Sequence, residues 1–244
     1  MIKFGLIGEG KISVRHKTAI ENNGGVLYKT HDPKYGKDTL QLDDEFFAGL
    51  DYVTICSPSF LHREQIQLCL KYNKKIICEK PMCLPWEPFI DSDDVNVVLQ
   101  LRWIDLPESA DFVRSVMVRH DPYFESWEGN PKLTGGLLYH LFIHYIDLAL
   151  LLGARFEGIV VQEGKQVRRI DDIDIMKLDM DDLYTRMYND IINHDKGVKP
   201  KDLFYLHWWL NRHSNIHGFG KDLLNRKIVI EDKLSGMLEV KNGS

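Results

Sequence analysis

A glycine-rich turn near the start of the sequence contains residue types that can hold a phosphate group. The segment GEGKIS, residues 8–13, follows an apolar run at residues 3–7 and opens a helical pattern. In such a turn the first glycine allows the tight bend, the second lets the backbone approach a pyrophosphate, and the helix N-terminus offers N–H groups. We therefore predict a dinucleotide-binding turn, with a purely structural turn as the alternative. The predicted contacts are Gly8, Gly10, Lys11 and Ile12.

An acidic residue follows at the place where the ribose of a dinucleotide is bound. Asp32 lies at the end of the second apolar run, residues 26–30. A carboxylate at that place hydrogen-bonds the ribose hydroxyls and repels a 2′-phosphate. The sequence therefore predicts NAD as the cofactor. Lys34 is close enough in sequence to meet a phosphate, so NADP is the less favoured alternative.

Two further apolar runs end in polar motifs, SPS at residues 57–59 and EKP at residues 79–81. Ligands of parallel sheets bind at the carboxyl ends of the strands. A lysine there changes its pKa readily on desolvation and can act as acid, base or hydrogen-bond donor. The structural alternatives are a helix N-cap at residues 57–59 and an ion pair between Lys80 and Glu79. The predicted cofactor contacts are Ser57, Pro58, His62, Glu79 and Lys80, of which Lys80 is also predicted to be catalytic.

A third cluster contains two histidines and an aspartate. His140, His144 and Asp147 have i, i+4 and i+7 spacing within residues 135–152, a pattern typical of one long helix. Side chains at this spacing share one face of an α-helix. Proton-transfer catalysis by the two histidines and a supporting role in the core both remain open. No cysteine pair or glutamate signature accompanies them, so we predict no metal site.

The apolar runs also predict the elements that position these residues. Short apolar strands alternating with amphipathic helices indicate a parallel, doubly wound sheet, so we predict an α/β Rossmann domain. A loop-like stretch rich in proline and aspartate, residues 85–94, marks its end. The predicted strands are residues 3–7, 26–30, 52–56 and 75–78, with a further candidate at 95–101, and the predicted helices are residues 12–22 and 62–72.

The pattern changes after about residue 105 to that of a reduced α+β domain with an open sheet. We predict a dinucleotide-binding Rossmann domain at residues 1–94 and a substrate and oligomerisation domain at residues 95–244, whose C-terminal helices can pack back on the first domain. The predicted elements are a strand at residues 110–119, a hairpin or two strands around Gly164, helices at 180–194 and 202–216, and a strand at 227–231.

Composition excludes several classes of protein. The 244 residues are 44% hydrophobic and 11% aromatic, which can supply a core, so disorder is excluded as the dominant state. A net charge of −5 argues against a nucleic-acid binder. We find neither an apolar run of membrane-spanning length nor a leader pattern, and we expect no membrane partner. Four cysteines in apolar contexts predict reduced thiols in a cytoplasmic protein.

Three of these clusters occur in the same order as in a known family. GEG with His16, then EKP, then Gly135-Gly136 leading to residues 144–147 resemble the glucose–fructose oxidoreductase/inositol dehydrogenase (Gfo/Idh/MocA) family. The resemblance implies a Rossmann domain followed by an α+β domain with an open sheet. Lys80 and His144 match the family's catalytic pair. His140 lies where most members have Asp and where the nucleotide-sugar branch often has Asn.

Within this family the chain most resembles the nucleotide-sugar 3-dehydrogenases of the UDP-N-acetylglucosaminuronate type. The segments that carry this resemblance are residues 56–62, 99–102 and 126–131. Arginine and lysine can grip a carboxylate or phosphate, and tryptophan can stack on a sugar or base. The predicted substrate contacts are Arg102, Trp127, Lys132 and Asp147. For the first three, the alternative is that they are surface and loop residues without a role in binding.

The resemblance implies NAD-dependent oxidation of a secondary hydroxyl of a sugar, such as a UDP-N-acetylhexosaminuronate, by hydride transfer to the nicotinamide. It also implies a homo-oligomer, a dimer or tetramer, in a polysaccharide pathway. The chain is shorter than most family members, with contractions at residues 81–95 and 105–110. Residues 153–180 leave space for about two strands where the family has a larger sheet, which is why we expect a reduced second domain. A non-catalytic NAD(P)-binding sensor and an NAD-assisted glycosidase remain the alternatives.

Overall fold

The computed structural model describes residues 1–33, 41–213 and 228–230, and the chain divides into two compact units. The first unit comprises Met1–Trp103 and Asp179–Phe204. The second comprises Ile104–Leu178 and the described residues from Tyr205 onward. The first unit is thus built from two separate stretches of chain. Lys34 and residues 214–216 of the predicted last helix lie outside the described residues.

The described strands and helices follow in chain order. The strands are β1 (Lys3–Ile7), β2 (Val26–His31), β3 (Tyr52–Ile55), β4 (Lys75–Cys78), β5 (Val95–Val97), β6 (Phe112–Val118), β7 (Arg155–Val161), β8 (Val167–Ile170), β9 (Ile173–Asp174) and β10 (Ile228–Ile230). The α-helices are α1 (Ser13–Asn22), α2 (Asp44–Phe47), α3 (Ser59–Lys71), α4 (Asp121–Glu125), α5 (Pro131–Thr134), α6 (Ile143–Leu152), α7 (Met180–His194) and α8 (Pro200–His213).

The first unit contains a five-stranded sheet in the order β2-β1-β3-β4-β5, with every neighbouring pair parallel. This confirms the predicted Rossmann-type parallel sheet. All residues of β3 and β5 are buried, as expected for a parallel sheet covered on both faces. β5 is shorter than the predicted strand at 95–101, because a 3-10 helix at Gln100–Trp103 follows it.

Helix α7 belongs to the first unit although it comes from the second half of the chain. Asp179 caps it by accepting hydrogen bonds from the amides of Asp181 and Asp182, which gives part of the acidic run a structural role. Its apolar face packs against α1 and against Phe4 near the start of β1. The buried cluster includes Phe4, Ala19 and Ile20 from the N-terminal stretch and Tyr184, Met187, Tyr188 and Ile191 from α7.

The second unit contains a mixed sheet in the order β10-β7-β6-β8-β9. β6 pairs parallel with β7 and antiparallel with β8, and β10 pairs antiparallel with β7. β7 and β8, the two strands that flank Gly164, therefore lie on opposite sides of β6. The alternative of a hairpin around Gly164 was wrong, because the paired neighbours in this region are β8 and β9.

The predicted single helix at residues 135–152 is also wrong in its first part. Gly135 ends α5 with a φ of +78°, in the left-handed region. A π-helical turn then covers Leu138–Phe142, and only Ile143–Leu152 is α-helical. A π-turn has i→i+5 hydrogen bonds, so the α-helical i, i+4 argument does not apply between His140 and His144.

Helix α6 lies against the sheet of the second unit. Its residues are strongly apolar, and the Phe142 ring just before it meets the Phe156 ring of β7 edge to face at 5.5 Å. Buried and partly buried residues alternate along β7 after its exposed first residue, as expected for a strand with one covered face. Among the residues that the structure describes, no helix has both the length and the apolar content of a membrane span.

Candidate functional site

The two glycines of the predicted phosphate-binding turn have different surroundings. Gly8 has a φ of +91°, and a Cβ atom there would lie 2.6 Å from the backbone nitrogen of Ser57. A Cβ atom at Gly10 would meet nothing within 4 Å. Gly8 is therefore needed for the close packing of the turns after β1 and β3. Gly10 leaves open space beside the backbone, which fits the close approach of a pyrophosphate.

The turn lies at the point where the chain order of the sheet reverses. Cys56, directly after β3, donates its amide hydrogen to the carbonyl oxygen of Ile7 at 2.7 Å. Ligands of open α/β sheets bind in the crevice at this switch point, outside the carboxyl ends of the strands. Helix α1 begins beside the turn at Ser13 without a side-chain cap. Lys11 is exposed and Ile12 is partly buried at the start of this helix.

Asp32 lies beside the glycine turn. Its carboxylate accepts a hydrogen bond from the amide of Glu9 at 2.6 Å, and the amide of Gly8 donates to the carbonyl oxygen of His31 at 2.8 Å. The Glu9 side chain forms an ion pair with Lys17 at 2.6 Å. Asp32 therefore lies beside the glycine turn, where the sequence predicts a ribose-binding carboxylate. Together with the open space at Gly10, this arrangement fits a bound dinucleotide.

His62 connects the turn after β3 with the EKP turn. Its two ring nitrogens lie 2.7 Å from the carbonyl oxygens of Ser57 and Pro81. Burial lowers the pKa of His62, while the hydrogen bonds to the two carbonyls act in the opposite direction. The side chain is 1% exposed, so it joins the two turns inside the protein. The peptide bond between Lys80 and Pro81 is cis.

Glu79 points into a network of protein donors. Its carboxylate accepts hydrogen bonds from Nε2 of His16 at 3.1 Å, the hydroxyl of Tyr184 at 2.8 Å and the amide of Lys80 at 3.2 Å. Burial opposes ionisation, but the hydrogen bond from His16 and the charges of His16 and Lys80 outweigh it. They hold the pKa of Glu79 at about 2.

The network continues away from Glu79 into the core. The Tyr188 hydroxyl lies 2.7 Å from Nδ1 of His16 and 3.0 Å from the Thr54 hydroxyl. Burial raises the pKa of Tyr184 and Tyr188 above the usual range. Sequence reasoning missed both tyrosines, because nothing in the spacing along α7 indicates a partner in the first stretch of the chain.

The second unit contains the histidine cluster. His140 and His144 are partly buried, and Asp147 is 2% exposed. The Trp127 ring lies edge-on to His140, with centroids 5.6 Å apart. The structure therefore places one predicted substrate contact beside one predicted catalytic residue, within a single unit.

Tyr123 is an aromatic neighbour of His140 that sequence reasoning did not single out. The two ring centroids are 6.1 Å apart, and the guanidinium of Arg119 lies 5.3 Å from the Tyr123 ring centroid. Burial raises the pKa of Tyr123. Its buried hydroxyl has no hydrogen-bond partner among the described residues. It is thus an additional candidate for contact with a polar ligand.

Two further predicted substrate contacts belong to different units. Arg102 is partly buried in the 3-10 helix of the first unit, whereas Lys132 is an exposed residue of α5 in the second. Within the described ranges no three His, Cys, Asp or Glu side chains are grouped as metal ligands. Cys56, Cys69, Cys78 and Cys83 are buried free thiols, and burial raises the pKa of Cys69 to about 12.

Residues 2–92 match the sequence profile of the GFO_IDH_MocA family, described as an oxidoreductase family with an NAD-binding Rossmann fold. A glucose-6-phosphate 3-dehydrogenase of Bacillus subtilis is 23% identical over 78% of this chain and 66% of its own length. An inositol 2-dehydrogenase of Rhizobium meliloti is 32% identical over 50% of this chain and 38% of its own length. The chain thus spans less than two thirds of either relative.

Solved structures show the same fold over more of the chain. The WlbA (WbpB) dehydrogenase of Thermus thermophilus, crystallised with NAD and UDP-GlcNAcA, has a TM-score of 0.68 at 22% identity, covering 87% of this chain and 93% of its own. A myo-inositol dehydrogenase of Corynebacterium glutamicum has a TM-score of 0.63 at 13% identity, covering 95% of this chain and 99% of its own. The chain therefore has the two-domain fold of the Gfo/Idh/MocA oxidoreductases, and its residues 2–92 match the NAD-binding Rossmann domain of that family.

Proposed function

We propose that this protein is an NAD-dependent dehydrogenase that oxidises a secondary hydroxyl group of a sugar. The observation that carries the proposal is the glycine turn with Asp32 beside it, inside a segment that matches an NAD-binding oxidoreductase family. An adjacent carboxylate favours a free ribose hydroxyl over a 2′-phosphate, which supports NAD over NADP. Relatives named as dehydrogenases of sugars and inositols support the reaction class.

In this proposal, the cofactor and the protein have different chemical roles. When bound, NAD supplies the hydride acceptor, and the protein contributes binding, orientation and proton transfer. We assign proton transfer from the substrate hydroxyl to His144, or to Lys80 acting with it, and a supporting role to His140. We assign cofactor contacts to the predicted set around the sheet edge: Gly8, Gly10, Lys11, Ile12, Asp32, Ser57, Pro58, His62, Glu79 and Lys80.

For the substrate we propose an anionic sugar, and first a nucleotide sugar such as a UDP-N-acetylhexosaminuronate. The Thermus thermophilus enzyme with the same fold was crystallised with UDP-GlcNAcA, and the Bacillus subtilis relative is named for a sugar phosphate. Both ligands carry negative charge that Arg102 or Lys132 can meet. Trp127 offers a stacking surface beside His140, and Asp147 completes the proposed substrate contacts.

The proposal also covers the setting of the reaction. We expect a homo-oligomer, a dimer or tetramer, in the cytoplasm, serving the biosynthesis of a polysaccharide. Multi-angle light scattering of the purified chain measures its mass in solution. A monomer at micromolar concentration would contradict the oligomer prediction and leave the dehydrogenase proposal in place.

A turnover assay tests the reaction directly. NADH absorbance is followed with NAD and each of three substrates: UDP-N-acetylglucosaminuronate, glucose 6-phosphate and myo-inositol. The expected result is NADH formation with the nucleotide sugar, slowed by about 10²–10⁴-fold in Lys80→Ala. NAD binding without NADH formation from any sugar favours the non-catalytic sensor. Release of a free sugar without net NADH formation favours the NAD-assisted glycosidase.

A further inference from the structure

The residue directly before Lys80 is a buried carboxylate with three protein donors. Glu79 is 7% exposed, and its hydrogen bonds come from His16 and Tyr184 on one oxygen and from the amide of Lys80 on the other. Such bonds favour the ionised carboxylate, which only accepts hydrogen bonds. Nε2 of His16 therefore carries the proton of its bond to Glu79.

The donors come from elements that are far apart in sequence. His16 lies on α1 and Tyr184 lies on α7. In addition, the backbone amide of Glu79 donates a hydrogen bond to the carbonyl oxygen of Ile55, the last residue of β3, at 2.9 Å. The backbone and the carboxylate of Glu79 are thus both held. A buried ion is costly unless its partners are well placed, and an apolar residue would fill the same space at lower cost.

The rest of the network leads away from solvent. His16, Tyr188 and Thr54 are all 0% exposed, and Thr54 is the last described member of the chain of hydrogen bonds that starts at Glu79. A path that carries protons to or from a substrate needs an outlet. The described part of this network has none, so its geometry suits holding a group in place.

Lys80 is held from its other side as well. Pro81 follows it, and the Pro81 carbonyl oxygen contacts the buried imidazole of His62 at 2.7 Å. The backbone that carries Lys80 is therefore anchored by Glu79 on one side and by His62 on the other. The positive charge of Lys80 also acts on Glu79, since it favours the ionised carboxylate.

We propose that Glu79 is a positioning residue for Lys80, and that His16 and Tyr184 fix the Glu79 carboxylate for this purpose. The inference rests on the proposed function, because it assigns Glu79 a part in the proton transfer that Lys80 performs. The carboxylate fixes the backbone that carries Lys80. Through Tyr184, helix α7 thereby helps to hold Lys80, which precedes this helix by about 100 positions in sequence.

The test uses two conservative variants and a matched control. Glu79→Gln removes the charge with little change in shape, and Tyr184→Phe removes only the hydroxyl. Tyr72→Phe is the control, because its hydroxyl donates to Asp44 at 2.7 Å and lies outside the network. For each protein we would measure kcat, KM, the Kd of NAD, the thermal midpoint and the rate at which the Lys80 amine is acetylated. Acetylation is read by mass spectrometry against exposed Lys71 of the same molecule.

We expect kcat to fall by about 10–100-fold in Glu79→Gln and by a smaller factor in Tyr184→Phe, because misplacement of a reacting group costs up to about 100-fold. KM should change less than about twofold, within the range of the Tyr72→Phe control. The Kd of NAD should change by a smaller factor than kcat, although Glu79 is also a proposed cofactor contact. Lys80 should be acetylated several-fold faster in Glu79→Gln, because its amine is less restrained once the backbone that carries it is no longer fixed by the carboxylate.

Two outcomes would overturn the proposal. One is a folded Glu79→Gln with the parent's kcat and the parent's relative acetylation rate at Lys80. The other is a loss of kcat that follows the loss of thermal stability equally in all variants, which indicates a packing role alone. The acetylation assay needs no substrate. It therefore still decides the positioning question if the parent shows no turnover, which is a failure of the proposed function only.

Discussion

The hydroxyl of Tyr184 donates a hydrogen bond to the carboxylate of Glu79 at 2.8 Å, although 105 positions separate the two residues in sequence. This contact joins α7 to the turn that carries Lys80, inside the first compact unit. The Rossmann unit of this protein is therefore completed by a helix from the second half of the chain. Its candidate reaction site depends on residues that the N-terminal motifs do not include.

Replacement of the two glycines of the phosphate-binding turn should have different effects, on protein stability for Gly8 and on NAD affinity for Gly10. Gly8→Ala places a Cβ atom against the Ser57 backbone at a positive φ, so it should destabilise the protein by about 1–3 kcal/mol. Gly10→Ala meets open space, so its thermal midpoint should stay near the parent value. NAD should nevertheless bind more weakly to Gly10→Ala, since the methyl group occupies the room for the pyrophosphate. Thermal melts measure the change in stability, and NAD titrations measure the change in affinity. An unchanged NAD affinity in Gly10→Ala would contradict the assignment of Gly10 to the cofactor site.

Asp32 should determine the choice between the two nicotinamide cofactors. We expect NAD to raise the thermal midpoint more than NADP does, because the carboxylate repels a 2′-phosphate. Asp32→Ser should narrow that difference. Asp172→Ser is the control, since it removes an exposed acid of the second unit. Equal shifts for both cofactors in the parent would contradict the assignment of Asp32 to the ribose.

Replacement of the two proposed proton-transfer residues should lower turnover without loss of the cofactor. Lys80→Ala and His144→Ala should each lower kcat by about 10²–10⁴-fold, the usual contribution of a positioned acid or base. The Kd of NAD should remain near the parent value in His144→Ala. In Lys80→Ala, which also removes a proposed cofactor contact, the Kd of NAD should rise by a smaller factor than kcat falls. The double variant should lose less than the product of the single losses if both residues serve the same hydroxyl. His140→Asn should be tolerated better than either, and steady-state kinetics on the four variants check each statement.

Replacement of the proposed substrate contacts should raise KM for the substrate. Arg102→Ala or Lys132→Ala should raise KM for an anionic sugar by about one to two decades, as expected for the loss of a charge-assisted contact. Trp127→Ala and Tyr123→Phe test the aromatic pair beside His140. NAD affinity should be unchanged in all four. If neither charge variant alters KM, Arg102 and Lys132 are ordinary surface residues.

The ionised Glu79 carboxylate should make stability depend on acid pH. Its folded pKa of about 2 lies below the ordinary glutamate value, so its contribution is fully present above about pH 4.5 and is lost as the pH falls toward 2. A depression of this size is worth about 3 kcal/mol at neutral pH. Urea melts of the parent and Glu79→Gln should therefore differ most above pH 5 and converge toward pH 2. A constant difference across this range would show that Glu79 does not titrate in this way.

The local patterns of the sequence were sufficient to predict the first sheet. β1 and β4 have the bounds that the apolar runs predict, because buried parallel strands are short, continuous apolar segments ended by turn residues. The place of Asp32 beside the glycine turn also follows from a motif whose members are held by one strand–helix–strand unit, β1-α1-β2. Such features depend on neighbouring residues, and neighbours are visible in sequence.

The tertiary structure decided what depends on distant contacts. The π-helical turn at Leu138–Phe142, the placement of β6 between β7 and β8, and the return of α7 to the first unit all depend on packing between separated segments. The tyrosines of α7 have ordinary positions on an amphipathic helix, so nothing local shows that two of them reach His16 and Glu79. The motifs thus identify Lys80 as a candidate, while the residues that hold its backbone are determined only when the chain folds.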